Sequence, residues 1–417
     1  MERSAIAPHI PASLRFSGLD RPMRILLTCS PAYGHFHPMG PIARALVDNG
    51  HEIAFATAAD FCERIERCGF RAFPAGLKMP ERGVIMRKVI SDMMKAPPSD
   101  RPKMGFPRIF GEHSAPIMLP DLQKVIAEYN PDLLIHDTSE LAGPIAATAA
   151  GIPYVNHSFG HIMPDEIIAL AAEWLAPLWK RIGQEPPPLA GLYRHLYLDI
   201  CPPSLQFPGI AKVVSKEAMR PVAFDAEVGE RLPAWVDAMP SLPTVYVTMG
   251  TLFNDTQSLF RTILEGLRDE PINIIVTVGK SGDPAAFGPQ PGNVHIERYL
   301  PQTLLFPRCN AVVSHGGSGT MLSALSAGIP LLSIPQGADQ FRNAERCSSA
   351  GAGNTLMPHE VSSEAVRIKV RALLDEAGFR EGAKRLSREI SAMPAPSDVV
   401  AVLAKLVLDH AKVRNRG

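Results

Sequence analysis

The 417-residue chain predicts an α/β protein built as two doubly wound domains facing a central cleft. Three observations lead there. Short apolar runs alternate with stretches of helical period between residues 23 and 157, and again between 244 and 350. Such alternation means parallel sheets covered on both faces. A single core stops growing at roughly 250–300 residues, so this length calls for two domains. Between the alternating halves, residues 201–243 carry prolines at 202, 203, 208, 221, 233, 240 and 243 and read as a linker.

The elements follow in order. Residues 1–22 hold no continuous apolar run and read as a disordered tail, with Met23 as a candidate start. Residues 24–29 (RILLTC) read as a buried strand, 40–49 as a helix ended by Gly50, 52–57 as a strand, 60–68 as a helix and 70–73 as a short strand. The stretch 76–114, rich in Met, Pro and Lys, reads as irregular. A helix at 117–129, a strand at 132–136, a helix at 140–150 and a strand at 153–156 complete the first half. The pattern restarts with a strand at 244–248, a helix at 256–268 and strands at 272–277, 293–296 and 311–314. A helix at 319–327, a strand at 330–333 and a helix at 340–350 follow, and 361–412 read as helical throughout. The domain plan is therefore a tail 1–22, a first domain 23–200, the linker 201–243, a second domain 244–395 and a terminal helix 396–417.

Composition narrows the partners. Lys+Arg and Asp+Glu are both 42, and a chain without net charge lacks the positive field that nucleic-acid binding requires. At 46% hydrophobic and 20% charged the chain is neither disordered nor a membrane bundle. No apolar run reaches ~18 residues, so no membrane span is expected. The six cysteines form no C-x-x-C, which fits reduced, buried thiols and a cytoplasmic protein.

The most informative segment is His315-Gly316-Gly317-Ser318-Gly319-Thr320, between a buried strand and an amphipathic helix. Glycines let the backbone approach an anion, and the helix N-terminus supplies free N–H groups and about half a positive charge. Ser318, Thr320 and His315 add side-chain donors. A glycine-rich turn alone would be an ordinary strand–helix connection; the donors beside it point to phosphate. No Walker lysine, no G-x-G-x-x-G and no G-x-S-x-G is present. Thr251, after the strand 244–248, stands where the same anion could be reached. Asp339 and Gln340 follow a later strand, where an N-cap and a pair binding sugar hydroxyls are both open readings.

In the first half, Gly34-His35-Phe-His37-Pro38 follows the first strand, and Asp137 ends the fourth. In the order 3-2-1-4-5-6 these strands are neighbours, so His35 and Asp137 should meet at the switch point. A carboxylate behind an imidazole makes a competent general base. His35, His37, His157 and His161 invite a zinc reading, but Phe159-Gly160 disfavours a helix there. No Asp-x-Asp occurs for Mg²⁺, so no metal is expected.

Tyr299-Leu-Pro301-Gln302, the His315–Thr320 turn, Ala-Gly-Ile-Pro330 and Pro335-Gln-Gly-Ala-Asp339-Gln340 together resemble the donor-binding signature of family 1 nucleotide-sugar glycosyltransferases. The actinobacterial branch that decorates antibiotics and other natural products is the most similar. The resemblance implies the GT-B fold of two Rossmann-like domains, the first for the acceptor and the second for the nucleotide sugar, with 396–412 crossing back to the first. It implies that Tyr299 stacks on the base, with Gln302 beside it. His315, Gly316, Gly317, Ser318, Gly319, Thr320 and Thr251 would surround the diphosphate, and Asp339 and Gln340 would hold the sugar. His35, backed by Asp137, would deprotonate the acceptor hydroxyl. Many relatives carry Glu where this chain has Ser323; a short hydroxyl cannot clamp both ribose hydroxyls, so a dTDP-sugar is expected at least as much as a UDP-sugar.

The expected reaction is an inverting, metal-independent transfer to a large apolar aglycone, the nucleotide sugar being a co-substrate and no cofactor taking part. Met79, Met86, Met93, Met94, Met104, Phe106, Phe110, Phe159, Trp174, Trp179, Tyr193 and Tyr197 are the candidate acceptor wall or core of that half. A nucleotide-sugar epimerase of the same fold and a non-catalytic partner of another glycosyltransferase stay open. So do a homodimer and an auxiliary activator protein.

Overall fold

Residues 21–97, 100–225, 230–250, 257–279 and 282–414 are described by the computed structural model. The first half runs β1 (Arg24–Thr28), the one-turn helix α1 (Tyr33–Phe36), α2 (Gly40–Asp48), β2 (Glu52–Thr57), α3 (Ala59–Arg67) and β3 (Arg71–Pro74). Then come α4 (Met79–Lys95), α5 (Arg101–Phe106), a π-helical segment Pro107–Ser114 and α6 (Ala115–Tyr129). β4 (Leu133–Asp137), α7 (Gly143–Ala150), β5 (Tyr154–His157), α8 (Asp165–Arg181), β6 (Leu196–Asp199) and β7 (Lys216–Ala218) complete it.

The second half holds β8 (Thr244–Thr248), α9 (Gln257–Leu267), β9 (Asn273–Thr277), β10 (Val294–Glu297), α10 (Gln302–Leu305) and β11 (Ala311–Ser314). α11 (Ser318–Ser326), β12 (Leu331–Ser333), α12 (Gln340–Ser349) and β13 (Gly353–Thr355) follow. The chain ends in α13 (Ser363–Asp375), α14 (Ala377–Ala392) and α15 (Pro396–Arg414).

All strand pairs are parallel, in the orders β3-β2-β1-β4-β5-β6-β7 and β10-β9-β8-β11-β12-β13. Sequence order reverses at β1/β4 and at β8/β11, and crevices open beyond the carboxyl ends of the strands at these two points. Ile25, Leu26 and Leu27 of β1 and Val245 and Val247 of β8 are completely buried, because helices cover both faces of each sheet. Ile42 and Leu46 of α2 share one buried cluster with Val399, Val400 and Leu403 of α15. α15 thus packs on the first half, where His410 Nε2 lies 3.3 Å from the Gly151 carbonyl.

Two expectations change. Residues 76–114 are largely helical, because α4, α5 and the π-helical segment have apolar partners such as Ala171 and Trp174 of α8 to lie against. Within 201–243, Lys216–Ala218 pairs with β6 as a seventh strand, so part of the expected linker belongs to the first sheet. The run 361–412 is helical almost throughout, as three helices parted at Glu376 and at residues 393–395. The expected tail 1–22 lies outside the described residues except for its last two, and Arg21 bonds both oxygens of Asp132 at 2.6 and 2.9 Å. Among the described residues no single helix is long and apolar enough to cross a membrane.

Candidate functional site

His35 sits in α1, just beyond β1, and Asp137 is the last residue of β4. Thr28 pairs with His136 in the ladder, so strand adjacency brings together two residues far apart in sequence. His35 Nδ1 lies 3.2 Å from Asp137 Oδ1 and 3.0 Å from Ser139 Oγ. Ser139 donates its hydroxyl to Asp137 Oδ1 at 2.5 Å, and the Ser139 and Ser30 N–H groups bond the same carboxylate at 2.7 and 2.8 Å. Burial alone would raise the Asp137 pKa, but His35, Ser139 and Ser30 more than offset it and hold it at about 2. An ionised Asp137, with the Ser139 proton already committed to it, requires the proton of His35 on Nδ1. Nε2 then keeps its lone pair, as a general base needs.

Apolar rings wall this position. Phe159 stands 5.3 Å from the imidazole and Phe110 6.0 Å, with Phe106 packed 4.9 Å behind Phe110. Trp179 and Tyr197 are buried in the core of the first half, whereas Trp174 is exposed.

In the second half, β11 ends at Ser314 and α11 begins at Ser318. The turn between them needs glycine at 316, where φ is +78°. The imidazole of His315 is gripped by two more: a Cβ on Gly250 would come within 2.6 Å of the ring and one on Gly317 within 2.5 Å of Nε2. Burial lowers the His315 pKa to about 4, so the ring is a neutral donor at pH 7. Nδ1 is enclosed and has no partner among the described residues.

Ser318 Oγ donates to Asp339 Oδ2 at 2.7 Å and accepts from Asn343 Nδ2 at 3.0 Å. The Ser318 hydroxyl is thus turned toward a carboxylate in this structure. Backbone N–H groups at the α11 terminus remain for an anion. Asp339 makes no capping bond to α12; Oδ2 is shared by Ser318 and Asn343. Gln340 is buried and its Oε1 accepts from Gln336 and Gly337 N–H at 2.7 and 3.1 Å, which braces the turn rather than presenting that oxygen to a sugar. Gln302 Nε2 reaches Thr320 Oγ1 at 3.4 Å, linking the Tyr299 segment to α11. Tyr299 donates its hydroxyl to the Asp225 carbonyl, yet 38% of the residue stays exposed, leaving ring surface for a stacked base. Thr251 lies outside the described residues.

The two halves meet at this place. A Cβ on Gly160, in the loop after β5, would come within 2.4 Å of Ser318 Oγ. From α12, Arg342 bonds the Ile162 carbonyl at 3.4 Å and stacks 4.0 Å over Phe207, while Arg346 bonds the Leu205 carbonyl at 2.9 Å. Overpacking such a contact costs typically 1–3 kcal/mol. Gly160→Val is expected to push the halves apart, lowering kcat/KM by roughly ten- to a hundredfold and the melting temperature by a few degrees. Unchanged kinetics would show that this contact does not set the working geometry.

Comparison with known proteins agrees with this architecture. The family model for the N-terminal domain of erythromycin biosynthesis protein CIII-like proteins matches residues 44–250, and that for their C-terminal domain matches 261–406. The chain belongs to the EryCIII-like glycosyltransferases. It is 33% identical to the L-demethylnoviosyl transferase of Streptomyces niveus, over 92% of this chain and 98% of that protein. It is 29% identical to the elloramycin glycosyltransferase ElmGT of Streptomyces olivaceus, over 91% and 97%. The crystal structure of the glycosyltransferase VinC in complex with dTDP superposes with a TM-score of 0.77 at 25% identity, over 93% of this chain and all of that one. The fold is GT-B.

Around the His35–Asp137 pair of this glycosyltransferase stand Ser139, Ser30 and Glu140, which the sequence does not single out. The run Asp137-Thr-Ser139-Glu140 at a strand end was the available signal. Glu140 accepts from Thr28 Oγ1 at 2.9 Å and from the Ala142 and Gly143 N–H groups at 2.8 and 3.0 Å, holding the start of α7. Burial, partly offset by these bonds, raises its pKa to about 7 from 4.5. The unfolded chain therefore ionises first as pH rises, and Glu140 favours folding fully below pH ~4.5 and loses that effect by about pH 7. The change is on the order of 3 kcal/mol. Urea unfolding at pH 5 and pH 8 should show the native protein losing stability relative to Glu140→Gln; a gap independent of pH would exclude it. Among the described residues no group of three or more His, Cys, Asp or Glu side chains could hold a metal ion.

Proposed function

We propose that this glycosyltransferase moves a sugar, with inversion and without a metal or cofactor, from a dTDP-sugar to a hydroxyl of a large apolar natural product. One observation carries the reading. His35 touches Phe159, the next residue Gly160 touches Ser318, and Ser318 starts the helix beside His315. This chain of contacts supports a base in one half working opposite an anion-binding helix terminus in the other.

His35 Nε2 takes the proton of the acceptor hydroxyl, whose oxygen attacks the anomeric carbon in line. The bond from that carbon to the diphosphate oxygen breaks on the opposite face, so the configuration inverts. Asp137 stabilises the imidazolium that forms. The charge on the departing nucleoside diphosphate is met by the α11 N–H groups and by the His315 donor. Phe110 and Phe159 suit a flat apolar acceptor, and Asp339 has Oδ1 left for a sugar hydroxyl.

Ser323 on α11 supports dTDP over UDP, since its short side chain cannot hold both ribose hydroxyls, and the relative VinC was crystallised with dTDP. Thermal shifts with dTDP and UDP at equal concentration test the donor. A ligand at a hundredfold excess over its Kd stabilises by about 2.7 kcal/mol. dTDP should raise the melting temperature more than UDP does; the reverse order would assign a ribonucleotide donor. The anomeric coupling of the product, read by NMR, tests inversion.

A further inference from the structure

Arg82, in the first turn of α4, is 8% exposed, yet no hydrogen bond or ion pair holds its guanidinium among the described residues. The neighbouring carboxylates are committed. Asp137 serves His35, Ser139 and Ser30, and Glu140 serves Thr28 and the start of α7. The guanidinium nitrogens of Arg82 are not among the fully enclosed polar atoms, so they keep an open side on which a ligand could meet them. Arg82 lines a cavity of about 30 Å³ together with Ser30, Ser114, Ser139 and Glu140. That volume takes a group of one or two water-sized atoms.

The cavity lies beside the acceptor wall. The Arg82 guanidinium is 5.5 Å from the centre of the Phe110 ring, and the His35 imidazole is 6.0 Å from the same ring. The base and the cation therefore border the same ring, within reach of one aromatic molecule beside it. A guanidinium binds planar oxyanions through its fixed fork of N–H donors.

We propose that Arg82 is an acceptor-specificity residue that binds an acidic oxygen substituent, a carboxylate or an ionised phenol or enol, on the same ring system as the hydroxyl that receives the sugar. The proposal rests on the reading of His35 as the base that meets the acceptor. It narrows the acceptor class from apolar to apolar with one acidic edge.

Fluorescence titration of the full chain with 6-hydroxy-2-naphthoate, its methyl ester and 2-naphthol tests it. The native protein should bind the carboxylate at least tenfold more tightly than either neutral probe. Arg82→Met should bring all three to the affinity of 2-naphthol, and Arg82→Lys should restore part of the preference. Equal affinities in the native protein, absence of binding by all three, or an equal loss for all three in Arg82→Met would overturn it, the last by showing that Arg82 only braces α4. A carboxylate preference that persists in Arg82→Met would assign it to another group. The dTDP thermal shift, measured on the same samples, reports the nucleotide site alone and separates failure of this proposal from failure of the donor reading.

Discussion

His35→Ala is expected to lower kcat by about 10²–10⁴-fold, the range typical of general-base catalysis, while dTDP binding stays within twofold. The split follows from the architecture: the imidazole belongs to the first half, and the glycine-rich turn proposed to meet the diphosphate belongs to the second. Asp137→Asn should reproduce much of the loss, because an amide can turn its N–H₂ toward Nδ1 and force the other tautomer. Ser139→Ala should cost less, since Asp137 still accepts from Nδ1 at 3.2 Å. Steady-state kinetics with dTDP binding measured by calorimetry gives both readouts. Near-native turnover in His35→Ala would remove the base from the mechanism.

His315→Ala is expected to weaken dTDP binding by about 10- to 100-fold, matching the roughly 1.5–3 kcal/mol of a hydrogen bond to a charged group. Gly317→Ala should act in the same direction without removing the donor, because its Cβ would sit 2.5 Å from His315 Nε2 and displace the ring. With a pKa held down at about 4, His315 is neutral across pH 6–8 and should contribute no pH dependence to binding there. Calorimetric titration of dTDP at pH 6 and 8 checks both statements. Unaltered affinity in both variants would place the diphosphate elsewhere.

The glycine-rich turn between β11 and α11 is legible because its residues lie within six positions of sequence, between an apolar run and a helical one. The His35–Asp137 pair was legible by a longer route: alternation implied parallel sheets, parallel sheets implied an order, and the order made β1 and β4 neighbours. Ser139 was not legible, since a serine two residues past a strand has many uses and only its 3.0 Å approach to His35 distinguishes this one. The helices of 79–114 were misread because Pro, Gly and Met blur helical periodicity, and packing against α8 decides the matter there. The partners of the Gln340 oxygen are not legible either, since only the folded turn brings the Gln336 and Gly337 N–H groups onto it.

Hydrophobic periodicity determined the two-sheet architecture, and the resemblance carried by the motifs between Tyr299 and Gln340 gave the class of chemistry, because both are local properties written along the chain. Contacts between distant segments decided the rest: the tautomer of His35, the capture of the Ser318 hydroxyl by Asp339, the approach of Gly160 to that serine and the isolation of Arg82. Each depends on which groups share a desolvated volume, and the energy of a polar group there is set by its neighbours rather than by its own place in the sequence.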